Sequence, residues 1–219
     1  MKFKKSFFLN FYMAGKILCL EGITGAGKTT QANRVRQKWD LDESSYFIIN
    51  EKEYEPFRQT IINWHNFGAN QNFSYEMIKE IAKARGETHR VNFVPVLGEL
   101  DYLLFDRSFY TSAIYQTDGK LSSQEIIDLN ILEDALIPEK GVILLCSPEV
   151  ARRRIDERRK KANIYNLPSM HELIEEISKR RELYLELARQ HLELYLIDTT
   201  DKTEDEVFEE VKSGLGLKR

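Results

Sequence analysis

Short apolar runs alternate with longer stretches of helical period along this chain. The segments 16–21, 46–50, 102–105, 142–146 and 194–197 are brief and almost continuously apolar, as strands buried on both faces of a sheet are. Between them, apolar positions recur every three to four residues over 28–39, 57–67, 75–97, 122–136, 148–161, 171–190 and 204–211, which predicts helices. The helix over 75–97 is expected to break near Gly86 or Pro95. Strands interleaved with helices predict a parallel sheet covered on both faces, a three-layer α/β/α domain with five strands. No internal repeat or low-complexity tract interrupts the pattern. The polar stretch 160–169, which contains Pro168, is expected to be a mobile segment.

Composition narrows the class without naming a chemistry. The 219 residues are 42% hydrophobic and 31% charged, with a formal net charge of −3, which gives no global reason to expect a nucleic-acid or membrane surface. The two cysteines, Cys19 and Cys146, lie in separate apolar runs, an arrangement that fits a reducing compartment better than a disulfide framework. The four histidines, His65, His89, His171 and His191, share no metal-ligand spacing and read as surface or packing residues. Residues 1–14 begin with lysines and continue into apolar residues, superficially like a signal peptide, but Asn10 interrupts the short apolar stretch. They are read as an extension, with the domain spanning 15–219. Its aromatic residues Phe7, Phe8, Phe11 and Tyr12 are read as a disordered tail, with a docking arm as the alternative.

One motif carries specific chemistry. Gly22-Ile-Thr-Gly-Ala-Gly-Lys28-Thr29 fits G-x-x-x-x-G-K-S/T and stands between a predicted strand and a predicted helix, the context its mechanism requires. Glycines let backbone N–H groups turn toward phosphate oxygens, and the helix N-terminus adds its positive end. Gly22, Thr24, Gly25, Ala26, Gly27, Lys28, Thr29 and Thr30 are therefore the predicted ATP cradle. Lys28 is expected at the β- and γ-phosphates and the Thr29 hydroxyl at Mg²⁺. ATP use also supports a cytoplasmic location. Asp106 ends the apolar run 102–105 and is the second expected metal contact, because a carboxylate at such a strand end faces the metal and the γ-phosphate. Arg107 follows it directly, and an acid for the metal beside an arginine for an acceptor phosphate suits phosphoryl transfer.

Taken in order, these stretches resemble the thymidylate kinase family. Glu21 to Gln31 resembles that family's phosphate loop, including the trailing Thr-Gln. Asp106-Arg107 with Ser112-Ala-Ile-Tyr-Gln116 is similar to its Asp-Arg segment. Arg85, ten residues before Pro95, Ser147 to Arg158 and Tyr184 to Ala188 are similar to later family motifs. The match runs from about residue 16 to 211. The resemblance implies a P-loop nucleoside monophosphate kinase fold with a helical lid at about 150–169, ATP and Mg²⁺ as cofactors, nucleotide substrates and a homodimer. By the same resemblance, Arg107 holds the acceptor's 5′-phosphate, Asp106 stands at the metal, Tyr115 lies against the deoxyribose beside Ser112, and Arg85 faces the base. No arginine occurs inside the phosphate loop, and in that family this places the catalytic arginine on the lid.

The lid run from Arg152 to Lys161 is strongly basic, but Asp156 and Glu157 interrupt it and no aromatic residues are interleaved, which argues against a nucleic-acid patch. Arg154 and Arg158 share a helix face and are the expected catalytic pair; periodicity alone does not separate Arg158 from Arg159. Three departures from the family touch the acceptor. Tyr54-Glu55-Pro56 stands where the family has an arginine before Glu-Pro, leaving that contact missing or supplied by Arg58. Thr24 replaces an acid, and Ile81 replaces a phenylalanine that stacks on thymine. The favoured reading is transfer from ATP to a deoxynucleoside monophosphate, dTMP first. A deoxynucleoside kinase with Glu55 as base, and a nucleotide-binding regulatory protein without turnover, are the alternatives.

Overall fold

The computed structural model describes residues 15–68, 74–117, 121–164, 169 and 172–217, without the side chains of 65–68. The extension 1–14, the expected mobile residues 165–168, and His171 lie outside the described residues, as does the side chain of His65. Five strands, β1 (Lys16–Gly22), β2 (Tyr46–Ile49), β3 (Tyr102–Asp106), β4 (Lys140–Leu145) and β5 (Leu194–Asp198), form one sheet in the order β2-β3-β1-β4-β5. Every pairing is parallel. The strands are joined through helices α1 (Lys28–Leu41), α2 (Phe57–Gly68), α3 (Tyr75–Asn92), α4 (Phe109–Tyr115), α5 (Ser123–Leu132), α6 (Pro148–Lys161), α7 (Ile174–Gln190) and α8 (Glu204–Leu215).

Parallel strands need covered faces, and the central three have them: Leu18, Leu20, Leu104, Phe105, Val142 and Leu144 are all buried. Edge strand β5 leaves Tyr195 and Leu196 exposed. Trp39 of α1 stacks on Tyr102 of β3, with ring centroids 4.8 Å apart, and anchors the first helix over the sheet. Local chemistry sets several helix starts. Ser122 with Glu125 and Thr203 with Glu206 form capping boxes, while Ser147 caps α6 ahead of Pro148.

Two expectations change. The short helix α4 had no pattern to reveal it, because Phe109, Tyr110, Ser112, Ala113 and Ile114 are all buried and show no amphipathic period. The helix over 75–97 ends at Asn92 and passes into a 3₁₀ turn over Val94–Glu99 with Pro95, so the break lies at the proline and not at Gly86. Gly86 serves a different purpose: a Cβ there would lie 1.5 Å from the Glu133 carbonyl oxygen, so its missing side chain lets α3 approach the end of α5.

The strand order also locates the site. From β1 the chain runs first toward β2 and β3 on one side, then crosses to β4 and β5 on the other. A crevice opens at the carboxyl end of the strand where that direction reverses, here β1.

Replacing a mid-helix glycine by alanine normally stabilises by about 1 kcal/mol. Gly86→Ala is expected to do the opposite and destabilise by more than about 2 kcal/mol, because the clash is with backbone. Gly98→Ala, which meets no atom within 4 Å, should stay within about 0.5 kcal/mol of the parent in urea denaturation.

Candidate active site

The phosphate loop sits at the crevice. Gly27 is the N-cap of α1 with φ 94°, and having no side chain it offers no cap to the first-turn N–H groups, which remain available to an anion. Thr24, Gly25, Ala26, Gly27, Lys28, Thr29 and Thr30 line a cavity of about 1060 Å³. Gly22 does not line it; its carbonyl accepts from Lys28 Nζ at 2.9 Å, and that of Ile23 at 2.6 Å. Burial, and then the Arg107 charge, push the Lys28 pKa well down, against the opposing pull of Asp106 and Glu21. A bound phosphate would restore the balance toward the charged form.

Asp106 and Arg107 stand on the same wall. Arg107 has φ 76°, an uncommon conformation for a residue with a side chain. Its cause is visible in the hydrogen bonds. The Arg107 N–H donates to the Leu20 carbonyl at 3.1 Å, and the next N–H, of Ser108, donates to Glu21 Oε1 at 2.7 Å. The fully buried Glu21 also accepts from the hydroxyls of Ser108 (2.8 Å), Thr111 (2.6 Å) and Tyr184 (3.1 Å). Burial raises the Glu21 pKa; Thr111, Ser108 and Arg107 act the other way.

The same cavity is also lined by Arg85, Arg107, Ser112, Tyr115, Phe57 and Trp64. Arg85 Nε donates to both oxygens of Glu51, at 3.1 and 2.9 Å, Nη1 to Asn130 at 2.5 Å and Nη2 to Ser112 Oγ at 3.0 Å. Its guanidinium lies 4.5 Å from the Phe57 ring centroid. His89 is buried, in keeping with a packing residue, and its tautomer is set: Nδ1 accepts the Leu136 N–H at 2.8 Å, so Nε2 carries the proton that it donates to Glu51 at 2.7 Å. Burial alone would raise the Glu51 pKa, but Arg85 and His89 hold it below the usual carboxylate range.

On α6, Arg154 and Arg158 both line the cavity, and Arg159 is not among its lining residues. Arg159 and Arg158 reach Glu172 at 3.0 and 3.5 Å, Arg159 as the more buried partner. Arg154 donates to the Thr199 hydroxyl at 3.0 Å and the Thr199 carbonyl at 2.8 Å, linking α6 to the turn after β5. The lid helix begins in contact with the phosphate loop, since a Cβ on Gly25 would meet the Ala151 carbonyl oxygen at 2.7 Å.

Three acceptor residues expected from sequence stand off the cavity wall. Ile81 is fully buried in the core under α3; the aromatic surface comes from Phe57 and Trp64 on α2. Glu55 and Pro56 do not line the cavity either, because Glu55 turns outward and its Oε2 accepts the Gln59 N–H at the start of α2, 3.0 Å away. Arg58, the alternative phosphate contact, is exposed and pairs with Glu55. Glu21, Glu51, Lys52 and His89 were not singled out for the site. Glu51 and Lys52 follow the carboxyl end of β2, where ligand-facing residues of parallel sheets gather.

Among the described residues no cluster of three or more His, Cys, Asp or Glu side chains is fit to hold a metal. Thr29 and Asp106, both on the cavity wall, are hard oxygen donors that match Mg²⁺, an ion that keeps waters and phosphate oxygens as its other ligands.

A phosphate loop, a cation-rich wall, Asp106 and the arginines of α6 lining one cavity define a P-loop phosphotransferase. The comparisons agree. A family profile described as thymidylate kinase matches residues 20–211, and the chain belongs to the thymidylate kinase family. It is 31% identical over 198 residues to probable thymidylate kinase 1 of Saccharolobus solfataricus, covering 89% of this chain and 94% of that protein. It is 30% identical over 206 residues to the probable thymidylate kinase of Thermococcus gammatolerans, covering 87% and 91%. The crystal structure of thymidylate kinase from Ehrlichia chaffeensis has the same fold, with a TM-score of 0.63 at 18% identity over 93% of this chain and 99% of that one.

Glu51→Gln leaves Arg85 buried without its countercharge and is expected to destabilise the protein by about 3–5 kcal/mol in urea denaturation. Because the folded-state pKa of Glu51 is depressed, its contribution is present above the ordinary carboxylate range and is lost as pH falls through the depressed value. The gap between the parent and Glu51→Gln should therefore close on acidification.

Proposed function

We infer that this protein transfers the terminal phosphoryl group of ATP to a deoxynucleoside monophosphate, dTMP giving dTDP. The observation that carries this reading is the single cavity lined by the phosphate loop, by Asp106, and by Arg85, Arg107, Ser112 and Tyr115. Family membership supports ATP as donor and a nucleotide as acceptor.

The donor triphosphate lies along residues 24–30, with Lys28 leaving the carbonyls of Gly22 and Ile23 to meet the β- and γ-phosphates. Arg154 and Arg158 close over it from the lid. Mg²⁺, held through Thr29 and Asp106, neutralises triphosphate charge when bound. Arg107 holds the acceptor phosphate in line with the γ-phosphorus, and Tyr115 packs on the sugar. An oxygen of the acceptor phosphate forms the new P–O bond as the bond from the γ-phosphorus to the β–γ bridging oxygen breaks, and the electron pair leaves with ADP. A phosphate nucleophile is already anionic, so no general base is required. The hydroxyl acceptor of a nucleoside kinase needs one, and Glu55, the residue weighed for that task, faces away from the cavity.

The catalytic unit is one domain over 15–219 with its lid at about 150–169. No helix among the described residues is long and apolar enough to cross a membrane, and dependence on ATP supports a cytoplasmic setting. The family resemblance implies a homodimer, which light scattering tests.

The experiment is ADP release from Mg-ATP across a panel of nucleosides and nucleoside monophosphates. Turnover with dTMP and not with thymidine is expected, with Lys28→Ala reducing it at least about a hundredfold. Arg107→Ala should raise the KM for dTMP by at least about tenfold with little change in the KM for ATP. Turnover confined to nucleosides would overturn the reading.

A further inference from the structure

Three cations converge on the acceptor end of the cavity, Arg85, Arg107 and Lys52, and they are unequally compensated. Arg85 has its own carboxylate in Glu51. Burial works against the Arg107 charge, but Tyr184, Tyr115, Glu21 and Asp106 together outweigh it and raise its pKa above the ordinary value. Lys52 differs: among the described residues nothing bonds to its ammonium, and its recorded hydrogen bond runs from its backbone N–H to Asn50 Oδ1.

Lys52 belongs to the 3₁₀ turn over Glu51–Glu53 that follows β2. Successive side chains of such a turn point about 120° apart. Glu51 accordingly turns inward to Arg85 while Lys52 remains exposed on the cavity wall. One turn thus supplies the anchor for Arg85 and a free cation beside it. Desolvation, and then the charges of Arg107 and Arg85, lower the pKa of Lys52, and the Glu51 carboxylate, engaged by Arg85, offsets them only in part. The other side chains of this segment offer no cation here. Tyr54 packs edge-on against Phe93 with ring centroids 4.9 Å apart, and Arg58 is exposed against Glu55.

Given the nucleotide kinase reading, on which this inference rests, we propose that Lys52 and Arg107 together form the seat of the acceptor's 5′-phosphate, and that Lys52 makes the site prefer a nucleotide over a nucleoside. A dianionic phosphate between them replaces repulsion with two charge-assisted contacts. A nucleoside's neutral 5′-hydroxyl leaves the two cations facing each other. Lysine suits the position because its flexible stem and three donors follow a phosphate whose charge changes during transfer.

The test compares the parent with Lys52→Met and Lys52→Arg by steady-state kinetics with ATP and dTMP, and by calorimetric binding of dTMP and of thymidine. Lys52→Met should raise the KM and Kd for dTMP by at least about tenfold, the equivalent of one charge-assisted contact. The KM for ATP, the Kd for thymidine and the urea midpoint should not move. Lys52→Arg should recover most of the loss. Affinity of the parent for dTMP should weaken at alkaline pH below the ordinary lysine range, and that limb should be absent in Lys52→Met. An unchanged KM for dTMP in Lys52→Met, or equal losses for dTMP and thymidine, overturns the role of Lys52 while leaving the kinase reading intact. A parent that turns over no monophosphate overturns the kinase reading, and the phosphate seat with it.

Discussion

Four donors from two parts of the chain converge on the carboxylate of Glu21: the N–H and hydroxyl of Ser108, the hydroxyl of Thr111 and the phenol of Tyr184. The carboxylate sits at the carboxyl end of β1, directly before the phosphate loop, and is completely buried. A buried charge is tolerated only when its acceptors are filled, and filling them draws the β3–α4 turn and α7 onto β1. That turn carries Asp106 and Arg107. The left-handed backbone of Arg107 follows from two consecutive N–H groups being bonded to β1. The phosphate loop and Arg107 are thus placed relative to each other by one buried side chain.

The wall around Arg85 repeats this logic with a cation among the donors. Glu51 is again a buried carboxylate, here satisfying Arg85 and His89. His89 is in turn fixed by the Leu136 N–H, so the network ties α3 to the chain beyond α5. Gly86, on the same helix, permits that approach by having no side chain at the Glu133 carbonyl. The outcome is an arginine held in one orientation, with Phe57 across its face. Pre-set donors of this kind need not reorganise when a ligand arrives, which is how a site converts position into rate.

The lid joins the same framework at its root. Arg154 is held to the turn after β5 through Thr199, and the start of α6 rests on Gly25 of the phosphate loop. Arg158, one turn further along, is largely exposed. The helix is therefore anchored beside the phosphate loop and leaves its outer arginine near solvent.

Much of this was legible in the residues themselves. The phosphate loop is contiguous and its chemistry depends on backbone geometry, so the glycine spacing and Lys28-Thr29 were enough to place it. The five strands were readable because each is an unbroken apolar run, and Asp106 because it ends one. The acceptor wall was read less well, since it is assembled from separate elements. Ile81 and Ile61 are equivalent on paper, yet helix rotation puts Ile81 in the core and Ile61 on the cavity. Glu51, Lys52 and Glu55 lie within five residues of one another, and only the 3₁₀ turn and the start of α2 decide that the first is buried under Arg85, the second faces the cavity and the third turns outward. Local sequence determined the fold class and the reaction type, because backbone pattern and contiguous motif carry them. Which charged side chains meet along the acceptor wall was decided by tertiary structure, because burial and pairing arise only when distant segments pack together.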